Sequence, residues 1–337
     1  MFPKRTTFII GAGASFELGF PLGSTLLERI ASSCDFQVQA RQLSSGDDEI
    51  WQVIQQLQRE DPAGPSLEDY QQAAWRIRDA AAHSGSIDNV IFQNDHDPLV
   101  PLVAKLAIAK HIISAERSST LLLSNNPDEM DHGPTAGTWL RIFGRMLCNG
   151  YQRSTAEKIF ESVSFVIFNY DRTVEQYLPF VLAGSFGFPL EEARAIVRRV
   201  DFHHPYGSLG LLPWQGGQIT YGSENASLPT IASGIQTFTE QVTDHQSLGR
   251  LRTSVSGAER LIFLGFGYHQ QNLDLLLSNL KSVTRIWGTS HNLPGPAHSA
   301  VQERLRPFYQ EPSPRPAILD SNTCAHFLGR YEMELTN

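Results

Sequence analysis

The sequence predicts an α/β fold built on a mainly parallel sheet, because short apolar runs alternate with amphipathic, helix-like segments along the chain. Three of the apolar runs are typical of buried strands, and they lie at residues 7–10, 163–168 and 261–264. Each run ends in a glycine-rich or polar cluster that precedes a helix-like segment. Ligands bind at the carboxyl ends of the strands in such sheets, so we expect the chemistry of the protein at these three turns.

Helix-like patterns fill the long segment between the first two strands, at residues 49–59, 67–82, 99–116 and 138–147. An excursion of this length is more than a plain crossover between two parallel strands. We therefore expect one domain over residues 1–337, with a Rossmann-like sheet flanked by helices. Within it, we expect a helical insertion over about residues 40–150 that packs over the sheet.

The composition argues against several classes of protein. Hydrophobic residues make up 41% of the chain and aromatic residues 10%, which is typical of a globular domain rather than a disordered or fibrous chain. Lys and Arg number 27 against 35 Asp and Glu, a formal net charge of -8, so no direct nucleic acid binding and no membrane binding are expected. No signal peptide and no membrane-spanning stretch is recognisable, so we expect a cytoplasmic protein.

The cysteines indicate neither a disulfide framework nor a metal site. Cys34, Cys148 and Cys324 lie far apart and form no Cys-x-x-Cys pair. Structural zinc sites are built from closely spaced pairs of ligands, so we expect no zinc module and no bound metal.

The first of the three turns carries the segment Gly11-Ala12-Gly13-Ala14-Ser15, and Pro21 then precedes a second helix-like run. Glycines at such a turn let main-chain N–H groups approach a diphosphate. The alternative is a tight strand-to-helix turn that holds no ligand. The dehydrogenase fingerprint fits poorly, because Phe16 stands where a third glycine is needed and no ribose-binding acid ends the next strand.

The second turn carries Asn169 and Asp171, directly after a buried strand and directly before a helix-like segment. Both residue types commonly cap helices, so capping is one interpretation and ligand contact is the other. A further cluster holds the adjacent histidines His203 and His204. Adjacent side chains of an extended segment point in different directions, so this pair alone does not chelate a metal, and one of the two is a candidate base.

The third turn carries Gly265-Phe266-Gly267 after the third strand, again before a helix-like segment. We expect His269, which follows this turn, to stand at the start of that helix rather than to act as a catalyst.

In this order, the clusters resemble those of the sirtuin-like superfamily. Within it, the chain is more similar to the bacterial sirtuin-like NAD-cleaving effectors of antiphage defence than to the protein deacylases. The resemblance extends from residue 7 to about residue 290. It rests on Gly11 to Ser15 with Pro21, on Asn169 and Asp171, on His204 with Tyr206-Gly207-Ser208, and on Gly265 to Gly267.

The resemblance implies roles for these residues. Asn169 and His204 would be catalytic, with Asn169 holding the water or a ribose hydroxyl and His204 acting as the base at the nicotinamide ribose. Asp171 would support Asn169 or contact the nicotinamide. The remaining residues would bind NAD, with the diphosphate on the first turn and the adenosine ribose on the third: Gly11, Ala12, Gly13, Ala14, Ser15, Pro21, Gly207, Ser208, Gly265, Phe266 and Gly267. Sirtuins usually have His directly before Gly, whereas Pro205 and Tyr206 intervene here, so His203 stays an alternative base.

The resemblance also implies an activity. It is the hydrolysis of NAD to nicotinamide and ADP-ribose, with NAD as the substrate and no metal. Deacylase sirtuins carry a zinc module made from paired cysteines, and its absence here favours simple cleavage. The alternatives are an NAD-dependent deacylase or ADP-ribosyltransferase, and a non-catalytic sensor of NAD or ADP-ribose. Family members resemble suicide effectors that deplete NAD when triggered, so a homo-oligomer, a separate sensor or regulatory chain, or both, are the expected partners.

Overall fold

A computed structural model of the protein describes residues 2–39, 42–124, 126–238, 240, 244–277, 285–308 and 317–337. The chain forms two compact units, and each of them is assembled from separate stretches of sequence. The first unit comprises Met1–Gly19, Ser119–Pro205 and Asp244–Asn337, and the second comprises Phe20–Ser118 and Tyr206–Thr243.

The centre of the first unit is a six-stranded sheet whose paired strands are all parallel. The strands of the described residues are β1 (Thr6–Ile10), β2 (Gln37–Gln39), β3 (Gln42–Ser45), β4 (Val163–Ile167), β5 (Phe202–His203), β6 (Arg260–Leu264), β7 (Arg285–Thr289) and β8 (Ile318–Asp320). The order across the sheet is β5-β4-β1-β6-β7-β8. From β1 the chain continues to β4 and β5 on one side of the sheet, and it later continues from β6 to β7 and β8 on the other side. The parallel six-stranded sheet confirms the prediction of an α/β Rossmann-like fold. Ligands bind at such a reversal point in Rossmann-like sheets.

The register of the three central strands brings their carboxyl ends to the same level. Ile10 of β1 pairs with Ile167 of β4 on one side and with Leu264 of β6 on the other. Every residue of β1 and of β6 is buried, which explains the apolar runs at residues 8–10 and 261–264. The second predicted strand ends at Ile167, so Phe168 belongs to the turn.

The helices of the described residues alternate with the strands of the sheet and also make up most of the second unit. They are α1 (Ala12–Phe16), α2 (Gly23–Ser33), α3 (Asp48–Glu60), α4 (Leu67–Ala81), α5 (Ile87–Gln93), α6 (Leu99–Ser118), α7 (Trp139–Cys148), α8 (Thr173–Phe186), α9 (Leu190–Val197), α10 (Leu228–Ala232), α11 (His245–Ser256), α12 (Gln270–Leu277), α13 (Gly295–Leu305) and α14 (Cys324–Thr336). None of these helices is long and apolar enough to cross a membrane.

In the first unit, α7 packs against both α8 and α14, and aromatic side chains join it to the sheet. The ring of Phe143 lies 5.0 Å from that of Phe8 on β1 and 5.7 Å from that of Phe165 on β4. Glu17 connects the starts of two helices, because its carboxylate accepts hydrogen bonds from the main-chain nitrogens of Trp139 at 2.8 Å and Ala325 at 2.9 Å. A carboxylate is well suited to these exposed N–H groups at helix starts.

The second unit contains α2 to α6, α10 and the antiparallel pair of β2 and β3. In this unit α6 packs against α2, α4 and α10. The helices predicted at 49–59, 67–82 and 99–116 correspond to α3, α4 and α6 of this unit, whereas the one predicted at 138–147 is α7 of the first unit. The segment predicted as an insertion, 40–150, therefore contains parts of both units, and residues 206–243 join its first helices in the second unit.

Candidate active site

The three predicted turns lie side by side at the carboxyl edge of the sheet. The main-chain nitrogen of Gly11, after β1, donates to the carbonyl oxygen of Leu264 at 2.9 Å. That of Phe168, after β4, donates to the carbonyl oxygen of Ile10 at 2.8 Å. The registers of β1 with β4 and β6 thus place the polar segments that follow these strands next to one another.

The glycines of the first and third turns let two stretches of main chain pack directly on each other. The N–H of Gly13 donates to the carbonyl oxygen of Gly265 at 2.9 Å. A Cβ atom on Gly11 would lie 2.6 Å from the same oxygen. Gly265 has φ +58°, and a Cβ atom there would lie 2.0 Å from the nitrogen of Ala14. Close backbone packing therefore accounts for glycine at these three positions.

This packing also uses donors of the predicted diphosphate cradle. The N–H groups of Gly11, Gly13 and Ala14 donate to the carbonyl oxygens of Leu264, Gly265 and Gly11, respectively. Three of the main-chain N–H groups that were predicted to bind a diphosphate thus already donate hydrogen bonds within the protein. Ala12 and Gly13 are partly exposed, whereas Gly11, Ala14 and Ser15 are buried, so only the second and third residues of the turn reach the surface.

Asn169 is buried and is tied to the first turn rather than to the helix that follows it. Its Nδ2 donates to the carbonyl oxygen of Gly11 at 3.0 Å and to Oγ of Ser15 at 2.8 Å. Asp171, by contrast, accepts hydrogen bonds at Oδ1 from the main-chain nitrogen of Thr173 at 3.2 Å and from its hydroxyl at 2.7 Å. Asp171 thus bonds the first residue of α8 from the position before the N-cap residue, Arg172, whereas the bonds of the Asn169 side chain go to the first turn.

Ser15 joins these two residues, because its hydroxyl also hydrogen-bonds the Asp171 carboxylate. Burial raises the pKa of Asp171 above its usual range, although the bonds from Thr173 and Ser15 act in the opposite direction. The side chains of Ser15, Asn169 and Asp171 therefore form one buried hydrogen-bonded group between the first and second turns.

His204 lies against this group. Its Nδ1 is 3.2 Å from the main-chain oxygen of Asn169, and its Nε2 is 2.6 Å from Oε1 of Glu175 in the first turn of α8. The side chains of His204 and Glu175 are only 12% and 5% exposed. Burial by itself lowers the pKa of His204, but the charge of Glu175 and the hydrogen bonds to Glu175 and Asn169 outweigh it, so the pKa is raised.

His203 lies in different surroundings, as expected for neighbours in an extended segment. It belongs to β5, and its Nε2 is 2.7 Å from Oγ of Ser254 on α11. Burial lowers the pKa of His203. Of the two candidate bases, His204 is the one in hydrogen-bond contact with Asn169. No group of three or more His, Cys, Asp or Glu side chains that could hold a metal ion occurs among the described residues.

In the third turn, the side chain of Phe266 is part of the core. It is 5% exposed, and its ring packs 5.1 Å from that of Phe168 and 5.4 Å from that of Phe263. Gly267 is exposed. His269 directly precedes α12, and its carbonyl oxygen accepts from the nitrogens of Asn272 and Leu273, so its expected place at the start of a helix is confirmed.

The other predicted NAD-binding residues, Pro21, Gly207 and Ser208, belong to the second unit. Gly207 has φ +67°, and a Cβ atom on it would lie 2.0 Å from the carbonyl oxygen of Gly234. The N–H of Ser208 donates to that same oxygen at 3.2 Å. These residues form a close main-chain contact within the second unit, and Pro21 is buried just before α2.

Glu175 is the site residue that sequence reasoning missed. The residues of α8 from Thr173 to Leu182 are all buried, and most of them are apolar, so an acid in its first turn has little access to water. A buried carboxylate needs a hydrogen-bond or charge partner, and this requirement was the available signal. The sequence does not reveal which residue is the partner, because His204 follows only after α8, α9 and β5.

The five buried or nearly buried side chains of Ser15, Asn169, Asp171, Glu175 and His204 are referred to below as the polar cluster. No known protein family and no curated protein matches the chain in sequence comparisons. The chemistry of this protein is therefore argued from the polar cluster, from its place in the sheet and from the resemblance of the motifs.

Proposed function

We propose that this protein is an NAD hydrolase, which cleaves the bond between nicotinamide and ribose and releases nicotinamide and ADP-ribose. The observation that carries the proposal is the contact of His204 with the main chain of Asn169. The contact places the imidazole against the residue that carries the carboxamide, at the carboxyl end of β4 and beside the point where the strand order reverses. The resemblance of the four motif clusters to the sirtuin-like NAD-cleaving effectors supports the same activity.

The reaction needs few catalytic groups. Nicotinamide leaves as a neutral pyridine, so no general acid is required. The transition state has the character of an oxocarbenium ion, and the enzyme has to position a water molecule and stabilise positive charge on the sugar. A base that takes up a proton from the water completes the requirements.

The residues of the polar cluster can supply these functions. The Asn169 amide nitrogen is held by Gly11 and Ser15, which fixes the carboxamide so that its oxygen can orient a water molecule or a ribose hydroxyl. His204, in its neutral form, is the base. The Asp171 carboxylate supports Asn169 through Ser15. In this proposal the dinucleotide lies over the edge where β1 and β6 end, and no metal takes part.

The biological role that we propose rests on the resemblance alone. The protein would act in the cytoplasm as an antiphage defence effector that depletes NAD when it is triggered. Such an enzyme harms its host unless it is controlled, and a homo-oligomer or a separate sensor chain would provide that control.

The proposal is tested by incubating the purified protein with NAD and separating the products by chromatography. We expect His204→Ala and Asn169→Ala each to lower the rate of nicotinamide release by a factor on the order of 10² to 10⁴, the usual contribution of a positioned general base. The matched control is His203→Asn, which alters the neighbouring imidazole outside the polar cluster and should retain activity. Wild-type turnover in both cluster variants would refute the assignment.

The same assay separates the alternatives. A deacylase would form further products only when an acylated peptide is added, and an ADP-ribosyltransferase only when an acceptor is added. A sensor would bind NAD, as measured by calorimetry, and the dinucleotide would be recovered intact even from the assembled oligomer or complex.

A further inference from the structure

Both ring nitrogens of His204 face hydrogen-bond acceptors. The Asn169 carbonyl oxygen lies 3.2 Å from Nδ1, and Oε1 of Glu175 lies 2.6 Å from Nε2. A carbonyl oxygen can only accept a hydrogen bond, so Nδ1 donates to it in this arrangement. The site is therefore shaped to hold the doubly protonated imidazolium ring, which is the form that arises after His204 has taken up a proton.

Glu175 is not built into its surroundings as a purely structural ion pair would be. Its side chain is 5% exposed, and Oε2 is buried without a hydrogen-bond partner among the described residues. Buried carboxylates that only stabilise a fold usually have both oxygens satisfied. The carboxylate of Glu175 is instead directed through one oxygen to a single partner, the ring of His204.

The two contacts of the ring differ in length, and this difference suggests which nitrogen does the chemistry. The contact of Nε2 with a carboxylate at 2.6 Å is short, whereas that of Nδ1 with a neutral carbonyl at 3.2 Å is long. Nδ1 faces the main-chain oxygen of Asn169, and the carboxamide of the same residue is proposed to hold the water. In catalytic triads, a buried carboxylate similarly holds one ring nitrogen and leaves the other to act as the base.

We infer that Glu175 is a positioning residue of the proposed hydrolysis, which keeps the proton on Nε2 of His204, leaves Nδ1 to take up the proton of the water and stabilises the imidazolium that forms. This inference rests on the proposed function. The water oxygen forms a bond to the ribose C1′, and the C1′–N bond breaks with its electron pair going to nicotinamide. The water proton goes to Nδ1 and is later released to solvent.

The charge on His204 is also influenced by other groups. Asp171, in the turn between β4 and α8, favours the imidazolium, and the charge of the adjacent His203 also acts on the ring. The experiment must therefore separate the effect of Glu175 from these two. Glu175→Gln removes the charge and keeps the shape, whereas Glu175→Asp keeps the charge. The matched control is Glu191→Gln, which changes an exposed acid on α9 that pairs with Arg194.

The first measurement is the titration of His204 in the full-length protein, followed by nitrogen-15 NMR of the histidine rings. We expect Glu175→Gln to lower the pKa of His204 by about one unit or more, and Glu175→Asp to retain most of the wild-type value. Glu191→Gln should leave it unchanged. In wild-type protein, the neutral ring should carry its proton on Nε2.

The second measurement is the pH dependence of NAD cleavage. In Glu175→Gln, kcat should fall by roughly 10² while KM changes much less, and the acid limb of the profile should move to lower pH along with the pKa of His204. An unchanged His204 titration, or a wild-type kcat and pH profile, in Glu175→Gln would overturn the inference. A wild-type chain that does not cleave NAD, but whose His204 pKa falls in Glu175→Gln, would refute the proposed function and leave the pairing of the two side chains supported.

Discussion

At the scale of single residues, Asn169 is the centre of the candidate site because it makes contacts in two directions. Its side chain donates to Gly11 and Ser15 of the first turn, and its main-chain oxygen faces His204. A change of side chain at this position therefore removes the carboxamide and leaves the contact with His204 available. This separation makes Asn169→Ala a clean test of the carboxamide itself.

The two adjacent histidines should have opposite effects on the pH dependence of stability. The pKa of His204 is raised above its ordinary value of 6.5, so its contribution to stability is fully present below about pH 6.5 and is lost as the pH rises through the folded-state pKa. The pKa of His203 is lowered, so its protonation opposes folding and stability is lost as the pH falls from about 6.5 through the folded-state pKa.

We therefore expect the difference in unfolding free energy between wild type and His204→Gln to shrink as the pH rises, and that between wild type and His203→Gln to grow. Urea unfolding of the three proteins at several values between about pH 5.5 and about pH 8.5 measures both differences. Groups that interact with neither histidine cancel in these differences. Parallel slopes for the two variants would contradict the assigned surroundings of His203 and His204.

The residues of the candidate site could be predicted from sequence only in part. Asn169, Asp171 and His204 stand in recognisable local motifs, and the parallel sheet brings the segments that carry them together. Glu175 belongs to no such motif, and its partner lies far along the chain. Burial of an acid can be anticipated from an apolar helix, but the identity of its partner depends on tertiary structure.

At the scale of elements, the carboxyl edge of the sheet depends on glycine at a few positions. Gly11, Gly13 and Gly265 allow the turn after β1 to lie on the turn after β6. The motif Gly-x-Gly, which sequence alone associates with a diphosphate as readily as with a tight turn, here has a packing function that can be tested without any ligand.

Gly265→Ala should destabilise the first unit strongly, whereas Gly267→Ala in the same turn should not. A Cβ atom on Gly265 would lie 2.0 Å from Ala14 N and 2.3 Å from Gly13 C, at a φ of +58°. On Gly267, the nearest atoms belong to the exposed ring of His269, which can move. We expect a loss on the order of 3 kcal/mol or more for Gly265→Ala and less than about 1 kcal/mol for Gly267→Ala. Thermal unfolding measures both, and similar melting temperatures would contradict this account.

The elements themselves could be predicted where the hydrophobic pattern was strong. The central strands β1, β4 and β6 and the helices α3, α4, α6 and α7 have clear apolar runs or periodicity, and their predicted bounds differ from the observed ones by only one or two residues. The strand β5 has only two residues, and β7 contains an arginine and a glycine, so neither produces an apolar run. They are strands because they pair with a neighbouring strand, and the local sequence pattern does not predict them.

At the scale of the whole molecule, the acidic balance of charge bears on ligand binding. The formal net charge of -8 gives no general attraction to a negatively charged dinucleotide, so any affinity for NAD has to come from a local arrangement of groups. The polar cluster lies wholly within the first unit, whereas Pro21, Gly207 and Ser208 belong to the second.

The full-length protein should be stabilised by ADP-ribose, the product of the proposed reaction, because a ligand that binds only the folded state adds to the unfolding free energy. At a concentration of about 100 times Kd, the gain is about 2.7 kcal/mol, which corresponds to a rise of several degrees in melting temperature. His204→Ala should keep this shift, since the ring is proposed to act on the water rather than to hold the diphosphate. With NAD, the shift should change toward that of ADP-ribose in wild type as substrate is consumed, and should stay constant in His204→Ala. Nicotinamide alone serves as the control ligand, and the absence of a shift with both NAD and ADP-ribose would count against a dinucleotide site in this chain.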